Sequence, residues 1–126
     1  MGVFRKGFLT ILLLAAASFS YAEEAEKTSF ITPSPEKIAR LDQWHARADA
    51  LMAENKFREA VGAYTEIILL EADDESAYAN LGRAHMILGE REKAAEAFRN
   101  ALEINPDNPM ALMGLRRIAD PDASIE

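Results

Sequence analysis

Two histidines and one run of acids are the residues of this chain whose types invite a chemical role. His45 and His85 stand 40 residues apart, and neither has a cysteine, a second histidine or an acid at motif spacing beside it. A metal site is therefore not expected. Asp73-Asp74-Glu75 could act as a general acid and base or as a calcium loop, but the run lacks the alternating oxygen ligands and the turn glycine of such loops. A solvated turn that caps the next helix accounts for it. No serine or lysine sits in a nucleophile motif, and the six glycines are dispersed, with no phosphate-cradling loop. The expectation is a protein with no catalytic residue, no metal and no cofactor, and hence no enzyme. His85 is expected inside, packed or hydrogen-bonded, and His45 nearer the surface and open to a partner.

The elements that would position these residues are helices. Ser34-Pro35-Glu36 is a helix start: a capping hydroxyl, a proline whose missing N–H has no intrahelical partner there, and an acid favoured by the dipole. Ile38, Leu41, Trp44, Ala48, Leu51 and Met52 follow at three- and four-residue steps, a single helical face, to about Glu54. After Asn55 the pattern resumes at Phe57, Ala60, Val61, Tyr64, Ile67 and Ile68, predicting a second helix through about Leu70. The short connection makes the pair antiparallel. Tyr78, Leu81, Gly82 and His85 carry a third helix to Leu88, which Gly89 ends. A fourth runs from about Arg91 to Glu103, with Ala94, Ala97, Phe98, Ala101 and Leu102 inward, until Asn105-Pro106 stops it. Pro109 opens a fifth, Met110 to Ala119, closed by Asp120-Pro121.

The 126 residues carry a net charge of −7 and no cysteine. No cluster of lysine and arginine offers the basic face that displacement of phosphate counterions requires, so nucleic acid is not an expected partner. At the start, Arg5 and Lys6 precede an uncharged apolar run, Phe8 to Ala17, and Ser20-Tyr21-Ala22 follows as a small-x-small cleavage site. This predicts a signal peptide cleaved after Ala22 and an exported protein in the periplasm or cell envelope, a compartment consistent with the absence of disulfides. The apolar run falls short of the roughly 20 residues a membrane span needs, so no stable span is expected after cleavage. A retained anchor is the alternative. The expected organisation is a signal peptide over 1–22, a flexible polar leader over 23–34, a helical domain over 35–119 and a frayed tail over 120–126.

Self-similarity decides the fold expectation. Trp44 and Tyr78 are 34 residues apart, as are Ala48 and Gly82, Ala60 and Ala94, and Tyr64 and Phe98. A helix-turn-helix unit of that period with W-x2-L-G-x2-Y, A-x3-F and P resembles the tetratricopeptide repeat. The second unit, 75–108, shows Tyr78, Leu81, Gly82, Ala94, Phe98, Ala101 and Pro106, with His85 where tyrosine is usual. The first, 41–74, keeps Trp44, Ala48, Ala60 and Tyr64 but has Arg47, Ile67 and Ala72 where leucine, alanine and proline are expected. Residues 109–119 match the start of a third unit, with Leu112 and Leu115 in the Trp-like and Leu-like slots, and serve as a capping helix. The fold class is all-α, an antiparallel helix-pair solenoid of two units and a cap.

Such stacks bind partners on the inner face lined by the first helix of each unit. Helical spacing places His45, Asp49 and Met52 there from the first unit, Ala79, Asn80, Arg83 and Met86 from the second, and Met113 and Arg117 from the cap. The resemblance implies that Asn80 hydrogen-bonds the backbone of a bound peptide. It implies no terminal-carboxylate clamp, because His45 and Asp49, and Met110 and Gly114, stand where clamping members carry Lys, Asn and cations. The expected function is a protein-protein interaction module or adaptor whose partner is a peptide or helix of another protein. Self-assembly as a homo-oligomer and a membrane-anchored structural role are the alternatives, and the leader, with Phe30 and Ile31, is a candidate occupant of the groove.

Overall fold

The structure is a computed structural model, and it describes residues 32–122. The expectations for the signal segment, for residues 23–31 of the leader and for residues 123–126 lie outside the described residues. The described residues form five helices and no strand: α1 (Pro35–Ala53), α2 (Phe57–Leu70), α3 (Glu75–Ile87), α4 (Arg91–Ile104) and α5 (Pro109–Ala119). None of them is long and apolar enough to cross a membrane. The all-α expectation holds, with helix ends within a residue or two of those read from the sequence.

The period of 34 reappears in the backbone chemistry of the helix ends. After α1, Asn55 takes a left-handed φ of 60°, and Lys56 N–H donates to the Leu51 carbonyl at 2.8 Å. After α3, one period later, Gly89 takes a φ of 78°, and Glu90 N–H donates to the His85 carbonyl at 2.9 Å. Both close a helix by satisfying carbonyls that have lost their intrahelical donors, and asparagine and glycine are the residues that adopt this conformation at least cost. The starts repeat as well. Asp74 accepts from Ala77 N–H at 2.9 Å to open α3, and Asn108 accepts from Ala111 N–H at 3.0 Å to open α5.

The core has two centres. Around Tyr64 and Ile67, both fully buried, pack Ala48, Ala60, Ala77 and Ala84, with Leu41, Trp44 and Leu51 against them. Around Phe98 pack Ala79, Ala94, Ala101 and Ala111, with Tyr78, Met86, Leu102 and Leu115 at the margin. Alanines at the crossings let the helices approach, and each large buried side chain contributes roughly 1.5–3 kcal/mol. Phe98 is held more tightly than a period of small residues alone would require. A Cβ on Gly82 of α3 would come 2.6 Å from Phe98 Cδ1, and a Cβ on Gly114 of α5 would also overlap the ring. The ring therefore lies between two glycines on two different helices. In consequence α5 packs against both α4 and α3.

The remaining residues at repeat positions divide by depth. Trp44, Tyr78 and Leu81 are half-buried, Gly82 is buried, and Pro106 is exposed in the turn after α4. The Arg47 guanidinium, in the leucine slot, lies 5.6 Å from the centroid of the Trp44 ring. A cation over an aromatic face is attractive, so the substitution replaces buried packing with a surface contact.

Candidate functional site

Where α5 meets α3 it leaves an open apolar cleft of about 510 Å³ floored by Phe98 and Gly114. Met86 and Ile87 form the α3 wall, Met110 and Met113 the α5 wall, and Arg83 and Arg117 stand on either side. An adjoining hollow of about 450 Å³ shares Met86, Ile87 and Arg117 and reaches to Gly89, Arg91 and Pro121. Helix geometry explains the convergence. Arg83 and Met86 are one turn apart on α3, as are Met110, Met113 and Arg117 on successive turns of α5, so each set shares a face.

Of the residues expected on the groove, four meet at this cleft: Arg83, Met86, Met113 and Arg117. Met113 is half exposed. Met52 and Ala79 do not line it; they are buried among core residues, because the large side chains Tyr64 and Phe98 draw the helices close around them. Asn80 is half-buried, and its amide donates to the Ser76 carbonyl of its own helix at 3.0 Å.

Asp49 is exposed, beside the buried Tyr64. Burial pushes the Tyr64 hydroxyl up to about 12; the Asp49 carboxylate adds to the rise by its charge and by a hydrogen bond, and the Arg83 guanidinium opposes it. An acid of α1 and a cation of α3 thus act in opposite directions on Tyr64.

The two histidines are both engaged. His45 is tied across the structure, with Nε2 2.8 Å from Asp74 Oδ2, while the other oxygen of that carboxylate caps α3. His45 lies nearer the surface than His85, its side chain 36% exposed against 11%, and the capping acid of the next unit holds it. His85 is buried as expected, and its Nδ1 donates to Glu90 at 3.1 Å. Lys93, above all, holds the Glu90 carboxyl below its usual range, with His85 and Arg58 acting in the same direction. Among the described residues no group of three or more His, Cys, Asp and Glu could hold a metal ion.

Sequence reasoning left Ile87, Pro109, Met110 and Gly114 out of the expected groove, although Met110 and Gly114 were placed at clamp positions, and read Phe98 as an inward repeat residue, which it is. Met110 was within reach, since it precedes Met113 and Arg117 at helical spacing. Gly114 was not, because its role depends on a ring 16 residues earlier in another helix.

Comparison with known proteins places this geometry in context. Residues 45–109, more than half of the chain, match the tetratricopeptide repeat family. The photosystem I assembly protein Ycf3 of Rippkaea orientalis is 29% identical over 85 residues, covering 65% of this chain and 49% of the relative. Its counterpart in Cyanophora paradoxa is 32% identical over 85 residues, with the same shares. That of a Synechococcus species is 39% identical over 74 residues, covering 53% of this chain and 43% of the relative. The chain thus spans about half the length of the curated relatives it matches.

These relatives overturn one expectation. A periplasmic or cell-envelope location rested on the pattern of residues 1–22 and the absence of cysteine, whereas the relatives are photosystem I assembly proteins. That location is withdrawn. The family match, the five helices and the 34-residue period shared by caps and core agree, and the chain belongs to the tetratricopeptide repeat family.

Proposed function

We propose that the protein is a non-catalytic adaptor that holds a segment of another polypeptide in the cleft between α3 and α5 while a larger complex is assembled. The observation that carries this reading is the cleft itself, an apolar hollow of about 510 Å³ open to solvent. Its parts suit a polypeptide. Phe98 is a fixed floor, clamped by Gly82 and Gly114, so little ordering is needed there on binding. Met86, Met110 and Met113 are flexible and polarisable, and adapt to side chains of differing shape. The remaining groove residues, His45, Asp49 and Asn80, act as the polar approach to it. Similarity to photosystem I assembly proteins supports a role in assembly, in which a subunit is held before it joins its complex.

Site-specific photo-cross-linking in producing cells tests the proposal. A photoreactive residue in place of Met113 should yield defined adducts with another polypeptide. One in place of Leu69, which is 75% exposed on α2 and lines no part of the cleft, should not. Equal adducts from both positions, or none from Met113, would remove the cleft as the binding site.

A further inference from the structure

From the charges around the cleft we infer that the segment it holds is an acidic one, with bulky apolar side chains seated among Met86, Ile87 and Met113 and carboxylates placed on Arg83 and Arg117. The inference rests on the adaptor reading and adds the chemistry of the occupant. The whole chain has 21 acidic residues against 14 basic ones, so a surface hollow taken at random would be expected to carry acids. Among the described residues, no carboxylate lines the cleft or the hollow beside it; Arg83, Arg117 and Arg91 do.

The arginines differ in what they already do. Arg91 donates to the Ile118 carbonyl at 2.8 Å and so ties α4 to α5. Arg83 and Arg117 are exposed and form no ion pair among the described residues, whereas Arg58 and Lys93 both pair with Glu90. Arginine offers a planar fork matched to a carboxylate, and beside an apolar floor such a pair is less screened than on open surface. A polypeptide fits better than a single acyl chain, because the cleft continues into the second hollow past Arg117.

The test uses the full chain and a pair of fluorescent synthetic peptides, each with a Phe-Leu-Leu centre, one flanked by glutamates and the other by lysines in the same places. The acidic peptide should bind at least about tenfold more tightly, and the preference should shrink as salt is raised. The double variant Arg83→Glu, Arg117→Glu should lose about tenfold for the acidic peptide and gain for the basic one. Its fold is checked by circular dichroism, and Arg116→Glu on the same helix serves as a charge control that leaves binding unchanged.

Equal binding of the two peptides, abolished by Met113→Asp, would overturn the acidic assignment and leave the adaptor reading standing. Binding of neither peptide, or binding indifferent to Met113→Asp, would overturn the adaptor reading as well. Displacement of the acidic peptide by a medium-chain fatty acid at lower concentration than by unlabelled peptide would make the occupant a lipid and overturn the proposal.

Discussion

The two halves of the repeat array use the same 34-residue template to opposite ends. In the first, the slot filled by Tyr64 is closed: Ala48, Ala77 and Ala84 press on it, and Met52 lies buried beside them. In the second, the equivalent ring, Phe98, is just as buried and is clamped by two glycines, but an open cleft lies over it. The repeat therefore prescribes a buried ring between helices but leaves open whether the residues around it close over or leave a cleft. The residues of the following helix decide. After Tyr64 comes α3, which brings Ala77 and Ala84 against it. After Phe98 comes α5, which brings Ala111 and Gly114 against it and packs Met110 at the margin, but leaves Met113 half exposed.

The comparison can be broken most directly at the rings. Tyr64→Ala and Phe98→Ala should each cost about 3–5 kcal/mol in denaturant unfolding, a loss comparable to the whole stability of a small domain. A Phe98 variant that kept full stability would show that the cleft floor is not core. Next in size is Gly114→Ala, whose methyl group would overlap the Phe98 ring. It should cost about 1–3 kcal/mol by overpacking and narrow the cleft, so peptide binding should fall with it. Asp74→Ala removes the cap of α3 and the partner of His45 together, and a loss of about 1 kcal/mol is expected.

Two smaller effects sharpen the contrast. Gly62 of α2 meets nothing within 4 Å of a built Cβ, and it is exposed in a helix. Gly62→Ala should therefore stabilise by about 0.5–1 kcal/mol, opposite in sign to the same change at Gly114. Tyr64→Phe should matter least at neutral pH. The Tyr64 hydroxyl rises from 10.0 to about 12 in the folded chain, so its contribution is full below pH 10.0 and is lost as pH climbs toward 12. Urea midpoints of parent and variant across that window should show a loss in the parent that the variant lacks. Parallel curves would mean that Tyr64 titrates as an exposed tyrosine.

Much of the fold was legible because each local signal agreed with the others. Caps at Asp74 and Asn108, stops at Asn55 and Gly89, and rings at Tyr64 and Phe98 all recur at one period, and each is a residue whose chemistry suits its place. The site was legible only in part. Spacing alone put Met52 and Ala79 on the inner face, but how deep a residue lies depends on how closely the next helix approaches, which a helical wheel does not contain. The tie from His45 was not legible for a related reason: its partner, Asp74, is 29 residues away and also caps α3. Gly114 was invisible because a glycine's value there lies in the side chain it admits.

The methionines report on the central claim, that partners bind in the cleft over the second ring and not over the first. Methyl NMR of the full chain with labelled methionine, titrated with the acidic peptide, should move the signals of Met86, Met110 and Met113 and leave Met52 in place. A shift at Met52 as large as at Met113, or saturable binding that moves none of the three cleft methyls, would contradict the account.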